Sequence, residues 1–444
     1  MIKTFSVPYP YMVQTLDRYY GVKTRPQKKA AVKTQLKHEH HIPRLYRKKK
    51  KLSILIATFW DYPHTGGLSN YIKTLSEGLK KRGHKVDVIS PNLFPSAQVK
   101  ELRAAVVPKL KDFFKDRYGD YNNHILKNNR LMFIYEQMLQ KIHLERYDVF
   151  HAQDLFTANI LGRFNQIYKK PLFFTPHGMF TFNRLKFHIF KKGSIEEFYY
   201  KKLEMKAIEY ADRLIIISDT FRSPLMKLGA EQEDMTTVIT GIDYDAKTGG
   251  KRKIPLPKNK IIISCIARLG PRKGHNHLLD ALSRIPSDLL EHVEVLIAGD
   301  GEMRSALEEQ ARKLNLSMVS FLGKRDDVPA ILNMTDIFVL PTINDSLPIS
   351  IIEAMFSGSA IIATDCGGIP DLIRHNKTGL IVEPGNAKVL ARALAFFISN
   401  KSAREKAASN AKAYAEKYLS SETMIKNIES IYQNTNSSEG DHET

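Results

Sequence analysis

From Leu52 onward, short β-branched runs alternate with amphipathic stretches. In the first half the runs are "LSILIATF" (52–59), "KVDVIS" (85–90), "YDVFHAQ" (147–153), "PLFFTP" (171–176), "RLIIIS" (213–218) and "TTVIT" (236–240). Each is short and apolar and ends near turn residues, the pattern of a buried strand. The stretches between have helical spacing. In "SNYIKTLSEGLKKRG" (69–83), Tyr71, Leu75 and Leu79 fall on one face and Gly83 is placed to stop the helix. Such alternation predicts an open parallel sheet with helices on both faces. "DAKTGGKRKIPLPKNK" (245–260) has no periodicity and reads as a linker. The alternation then restarts with "IIISCIAR" (261–268), "HVEVLIAG" (292–299), "MVSFLG" (318–323), "DIFVLP" (336–341), "AIIATD" (360–365) and "TGLIVEP" (378–384). Long Ala/Lys/Glu helices are expected over 386–434.

The prediction is therefore an α/β protein with two doubly wound, Rossmann-like domains. Residues 1–51 form a basic extension expected to be poorly ordered, 52–244 an N-terminal domain and 245–260 the linker. Residues 261–415 form a C-terminal domain, 416–434 a final helix and 435–444 a disordered tail. Two such sheets facing one another leave a cleft at the carboxyl ends of their strands, where ligands bind in this architecture.

Composition narrows the setting. Of 444 residues, 43% are hydrophobic and 26% charged, as in globular proteins. No apolar run approaches the roughly 18 residues of a membrane span, and "MIKTFSVPYPYMV" lacks the apolar core of a secretory signal. Cys265 and Cys366 lie in strand-like segments and read as reduced thiols, so a cytoplasmic setting is expected. Net charge is +20, and residues 1–51 hold 14 Lys/Arg against Asp17 and Glu39. That extension reads either as a solvated tail or as an arm for an anionic surface. Charge without a binding motif assigns no nucleic-acid partner. His38, His40 and His41 have no further ligands at metal spacing.

The usual nucleotide motifs are missing. The first strand runs into "WDYPHTGGLSN", not the glycine fingerprint of NAD proteins, and "GLKKRGH" lacks the Lys-Ser/Thr of a P-loop. In "ARLGPRKGHNHLLDAL" (267–282), Arg268, Arg272 and Lys273 lie between a strand and a helix. Cations beside a helix N-terminus attract an anion, although an exposed basic turn looks the same. Gly367-Gly368 in "TDCGGIPDLI" and Gly66-Gly67 in "YPHTGGLSNY" open helices and offer bare N–H groups. His177 follows a strand in "FFTPHGMF" and is either a site residue or structural. In "PTINDSLPISIIEAM" (341–355), Asp345 and Glu353 stand eight positions apart, one in a loop and one in a helix. Asp243 and Asp245 form a DxD pair, but it directly precedes the linker and no metal is assigned to it.

Taken in order, these segments resemble glycosyltransferase family 4, retaining enzymes of the GT-B fold. The likeness is carried by "ARLGPRKG", "AGDGEMRSALEE", "FLGKRDDVPAILNMTDIFVLPT", "NDSLPISIIEAMFSGSAIIATDCGGIPDLI" and "TGLIVEPGN", and in the first half by "HTGGLSNYIKTLSEGLKKRGHKV", "PHG" and "RLIIISD". It covers most of residues 52–434. The resemblance implies that Asp345 and Glu353 form the family's E-x7-E element, with Glu353 on the nucleotide ribose and Asp345 on the donor sugar. It also implies that Arg268 and Lys273 hold the donor diphosphate over Gly367 and Gly368. His177 would lie by the sugar, and Gly66 and Gly67 would line the acceptor side. The chain departs from the family pattern at Asp345 in place of Glu, at Thr342, and at Gly270-Pro271.

The activity implied is metal-independent, retaining transfer of a hexose from a UDP- or GDP-sugar to a glycan, glycolipid or other cell-envelope acceptor, with no cofactor. Two basic side chains and helix N-termini stand in for a metal at the leaving diphosphate. The competing reading is a binding or coat protein that keeps the fold without turnover. Residues 180–192 interleave Phe180, Phe182, Phe187 and Phe190 with Arg184, Lys186, Lys191 and Lys192. With the basic extension, they are a candidate for peripheral contact with an anionic membrane.

Overall fold

The computed structural model describes residues 12–22, 51–64, 66–244 and 259–434. All twelve predicted runs contain a strand. The chain divides into two compact units. The first comprises residues up to Ile216, Phe221–Val238, and the chain from Asn427 on; the second comprises Ile217–Thr220 and Ile239–Lys426. The final helix, Ser421–Asn434, is thus shared between the two units along the chain.

In the first unit the strands are β1 (Ser53–Ala57), β2 (Lys85–Ile89), β3 (Val149–Ala152), β4 (Leu172–Phe174), β5 (Arg213–Ile216) and β6 (Met235–Thr237), in the order β2-β1-β3-β4-β5-β6. Every pairing is parallel. A parallel sheet needs a covering layer on each face, and Ile54, Leu55, Ile56 and Ala57 are accordingly inaccessible to solvent. The helix Gly67–Lys81 buries Tyr71, Ile72, Leu75 and Leu79, and Gly83 follows it at φ +92°.

In the second unit the strands are β7 (Ile261–Ile266), β8 (Val293–Ala298), β9 (Val319–Gly323), β10 (Ile337–Leu340), β11 (Ala360–Thr364) and β12 (Leu380–Val382), in the order β12-β11-β10-β7-β8-β9. These pairings are also all parallel. Each unit has one place where the strand order reverses, and loops diverge there to leave room for a ligand. It lies between β1 and β3 in the first unit and between β7 and β10 in the second.

One expectation is corrected in part. Within the extension expected to be poorly ordered, Val13–Tyr19 is a helix with Leu16 fully buried. Asp17 accepts from Arg117 at 2.6 and 2.7 Å and from the Tyr118 hydroxyl at 2.9 Å. Tyr20 stacks on Tyr118 at 4.7 Å. A buried leucine and a bidentate ion pair are enough to fix so short a helix, and neither is visible in a charge count. Residues 1–11 and 23–50 of the extension, residues 245–258 of the linker and the tail 435–444 lie outside the described residues.

Candidate functional site

The second unit brings most of the predicted residues to its switch point. After β7 the chain makes a tight turn, Pro271–Lys273, and enters the helix His275–Leu282. After β10, residues 342–348 lead into the helix Ile349–Ser357. The two loops are bound together. Ile343 N–H donates to the Arg272 carbonyl at 2.8 Å, and so does the Thr342 hydroxyl, also at 2.8 Å. Lys273 Nζ and Asp345 Oδ2 form an ion pair across the junction. Gly274 has φ +70°, and a Cβ there would lie 1.9 Å from the Pro341 carbonyl oxygen, so only glycine lets the loops approach this closely.

Glu353 lies in the second turn of the helix, half-buried between Ile352 and Ala354. Burial without a neighbouring cation pushes its carboxyl up to about 7. Tyr244 is close enough to feel that carboxylate and stacks on Phe356 at 5.7 Å and 14°, with its hydroxyl buried near Ser357. Sequence reasoning placed Tyr244 only within a DxD triplet and missed this contact. Asp243 of the same triplet accepts from the Ser421 hydroxyl. Among the described residues no three His, Cys, Asp or Glu side chains converge as metal ligands.

Two of the predicted residues are engaged elsewhere in this structure. Arg268 does not join Lys273. Its side chain is 76% exposed and pairs at 3.1 Å with Glu302, on the loop after β8. That loop follows "AGDG", where Gly299 and Gly301 pack against the carbonyls of Ala267 and Leu269. The pair Gly367-Gly368 was expected to present bare N–H groups. Gly368 N–H instead donates to the Ser346 carbonyl at 2.7 Å, and a Cβ on Gly367 would lie 1.5 Å from the Asp345 carbonyl oxygen. These glycines let the Asp345 loop seat against the end of β11.

The first unit holds Gly66, Gly67 and His177. Gly66 precedes the helix Gly67–Lys81 with φ +151°, and a Cβ there would meet only His64, at 3.6 Å. His177, in the loop after β4, lies edge-on to Tyr71 at 4.7 Å, and its Nε2 is 3.0 Å from Gln153 Oε1. Burial pushes its imidazole down to about 3, so the ring is neutral. The loops after β1 and β3 are joined by Asp154, which accepts from the N–H groups of Phe59, Phe156 and Thr157 at 2.6, 3.0 and 2.9 Å. Beside His177 is a cavity of about 210 Å³ walled by Trp60, Phe156, Met179 and Phe180. In the segment 180–192, Phe180 and Phe190 turn inward, whereas Phe182 and Ile189 are 60% and 57% exposed among Lys186, Lys191 and Lys192.

Comparison with known proteins gives the family and the fold. Residues 65–246 match Glycosyltransferase Family 4, and residues 247–414 match Glycosyl transferases group 1. An uncharacterized glycosyltransferase of Methanocaldococcus jannaschii is 24% identical over 84% of this chain and 96% of its own length. The UDP-Gal:alpha-D-GlcNAc-diphosphoundecaprenol alpha-1,3-galactosyltransferase of Escherichia coli is 27% identical over 59% of this chain and 68% of its own. The crystal structure of Anabaena HepE in complex with UDP and glucose superposes with a TM-score of 0.61 at 19% identity, over 86% of this chain and 99% of that one. The two family matches run end to end over residues 65–414, and the fold agrees: the chain belongs to glycosyltransferase family 4 and has the GT-B fold.

Proposed function

We propose that the protein transfers a hexose, with retention and without a metal, from a nucleotide-diphosphate sugar to a glycan or lipid-linked acceptor of the cell envelope. The observation that carries this reading is the pairing of Lys273 with Asp345 across the β7/β10 switch point, with Glu353 eight residues further on. A diphosphate arriving there displaces the Asp345 carboxylate from Lys273. That exchange frees Asp345 to accept from sugar hydroxyls while Lys273 takes the phosphate charge. Glu353, raised by burial, ionises when ribose hydroxyls donate to it. Arg268 and Arg272 add positive charge at the same loop, so leaving-group stabilisation needs no divalent ion.

The relatives' names support the donor and acceptor classes. One is a UDP-Gal transferase acting on a diphosphoundecaprenol-linked sugar. Peripheral membrane contact belongs to the same reading. Phe182 and Ile189, exposed among three lysines, suit an anionic headgroup layer. Among the described residues no helix is long and apolar enough to cross a membrane. Incubation with a panel of UDP- and GDP-hexoses and a lipid-linked saccharide, in EDTA, tests the reading. Formation of an α-linked product from an α-linked donor is expected. Absence of transfer from every donor, or a strict Mg²⁺ requirement, would overturn it.

A further inference from the structure

The loop after β8 ends beside Arg268, and backbone contacts hold it there. Leu269 N–H donates to the Asp300 carbonyl at 3.0 Å, and Met303 N–H donates to the Leu269 carbonyl at 3.0 Å. Two glycines permit the approach. A Cβ on Gly299 would lie 1.9 Å from the Ala267 carbonyl oxygen, and one on Gly301 would lie 2.4 Å from that of Leu269. Glu302 stands between Gly301 and Met303, so its place beside Arg268 is set by the backbone. Its Oε2 accepts from Arg268 Nη2 at 3.1 Å. Its Oε1 would lie 3.3 Å from a Cβ on Gly270, so the glycine at that position leaves room for the carboxylate.

The carboxylate therefore sits beside the turn that carries Arg272 and Lys273. Its own backbone N–H and the Arg268 guanidinium hold its carboxyl below the ordinary glutamate range, so it is ionised at neutral pH. Arg272 is also near enough to act on it. The side chains of Arg268 and Glu302 are 76% and 54% exposed. An ion pair so open to water is weak and exchanges readily. The pair Arg325–Asp327, at 9% and 2%, is built to stay closed. Lys273, the next cation, has its own carboxylate in Asp345. Arg268 and Lys273 thus each hold one resident anion, and an incoming diphosphate has two carboxylates to displace.

We infer that Glu302 is a positioning residue that competes with the donor for Arg268: its carboxylate holds the guanidinium until a diphosphate replaces it, and takes it back when the nucleotide diphosphate leaves. The inference rests on the transferase reading, which puts a diphosphate at this turn. A diphosphate opens the pair because it brings more negative charge than one carboxylate and engages both cations at once. A neutral ligand does neither. Glu302 then weakens donor binding and hastens product release, and removing its charge tightens the binding of donor and product alike.

Calorimetric titration of the full-length protein with inorganic pyrophosphate, UDP, GDP and uridine, in EDTA, tests this without turnover. Glu302→Gln should bind pyrophosphate and one of the nucleotide diphosphates about threefold to fivefold more tightly than the wild type, the scale of an exposed ion pair. Glu302→Ala is the second variant, because a glutamine can still accept from Arg268. Uridine, which lacks the phosphates, should show no gain. Loss of any nearby negative charge favours an anion, so Arg268→Ala and the double variant Arg268→Ala/Glu302→Gln complete a cycle. The gain from Glu302→Gln should vanish in the Arg268→Ala background. In turnover the same gain should appear as a lower KM for the donor and stronger inhibition by the nucleotide diphosphate. Unchanged affinity in both Glu302 variants, an equal gain for uridine, or a gain that persists without Arg268 would overturn the inference and leave the transferase reading in place. Binding of neither pyrophosphate nor a nucleotide diphosphate, to the wild type or to any variant, would overturn both.

Discussion

The two switch points solve the same structural problem with different chemistry. In each unit a carboxylate ties together the two loops that diverge there. In the first unit Asp154 does so by accepting from Phe59 N–H and the Thr58 hydroxyl of one loop and from Phe156 and Thr157 N–H of its own. In the second unit Asp345 does so through the side chain of Lys273. A backbone-bonded carboxylate is part of the scaffold. A carboxylate held by one lysine can exchange that partner for a ligand. On the proposed function, the difference separates a permanent joint in the first unit from one in the second that a diphosphate would open.

The largest expected effect lies at the exchangeable joint. Lys273→Ala removes the cation and should lower turnover roughly 10²–10³-fold, as does loss of a preorganised charge contact. Steady-state kinetics with the best donor decide it, and near-normal turnover would remove Lys273 from the site. Arg268→Ala should cost less, because that side chain is solvent-exposed and paired with Glu302 instead of with the joint.

Next comes the seating of the loop. Gly367→Ala drives a Cβ into the Asp345 carbonyl, and a stability loss of about 3 kcal/mol by denaturant titration is expected. Gly193→Ala is the control, with a similar φ of +78° and open space, and should cost only about 1 kcal/mol. Equal losses would mean that backbone strain alone, not close approach, sets the effect.

A smaller effect is the pH dependence of donor binding. Glu353 has a folded-state value raised to about 7 from 4.5. Its contribution to stability is therefore present below the unfolded value and is lost as pH rises through about 7. Binding runs the other way, because ribose hydroxyls need the ionised carboxylate. Affinity for a nucleotide sugar, which has no titrating group of its own near neutrality, should rise between about pH 6 and pH 8. Calorimetry across that range should show the rise in the wild type and a flat profile in Glu353→Gln. The smallest effect is at the permanent joint. Asp154→Asn should cost about 1 kcal/mol of stability and leave nucleotide affinity unchanged.

The same contrast explains what the chain made legible. The positions of Lys273, Asp345 and Glu353 at strand ends beside helices were readable because each strand-to-helix loop is a local pattern, whereas the ion pair between Lys273 and Asp345, 72 positions apart, was not. The twelve strands were readable because a doubly covered parallel sheet requires unbroken apolar runs. The contact of Gln153 with His177 was not, since Gln153 reads as the end of the strand "YDVFHAQ" and His177 lies 24 positions away. The helix Val13–Tyr19 was hidden because Asp17 meets Arg117 100 positions later. Gly367-Gly368 was read by motif as a phosphate cradle. Only the backbone shows that Gly368 N–H is already bonded to Ser346. Local patterns survive translation from one dimension to three, whereas contacts between distant residues, ionic or neutral, do not.

On the proposed function, the second unit divides its ligand between two carboxylates, Glu353 for the nucleoside and Asp345 for the sugar. Thermal-shift titration of the wild type, Asp345→Asn and Glu353→Gln tests it with UDP, GDP and their hexose conjugates. A ligand at about 100 times its Kd adds roughly 2.7 kcal/mol of stability. One nucleotide series should stabilise the wild type. Glu353→Gln should lose the effect of the bare nucleotide and of its sugar alike, and Asp345→Asn should lose mainly that of the sugar conjugate. Stabilisation by no nucleotide, or equal losses for both ligands in Asp345→Asn, would contradict the account.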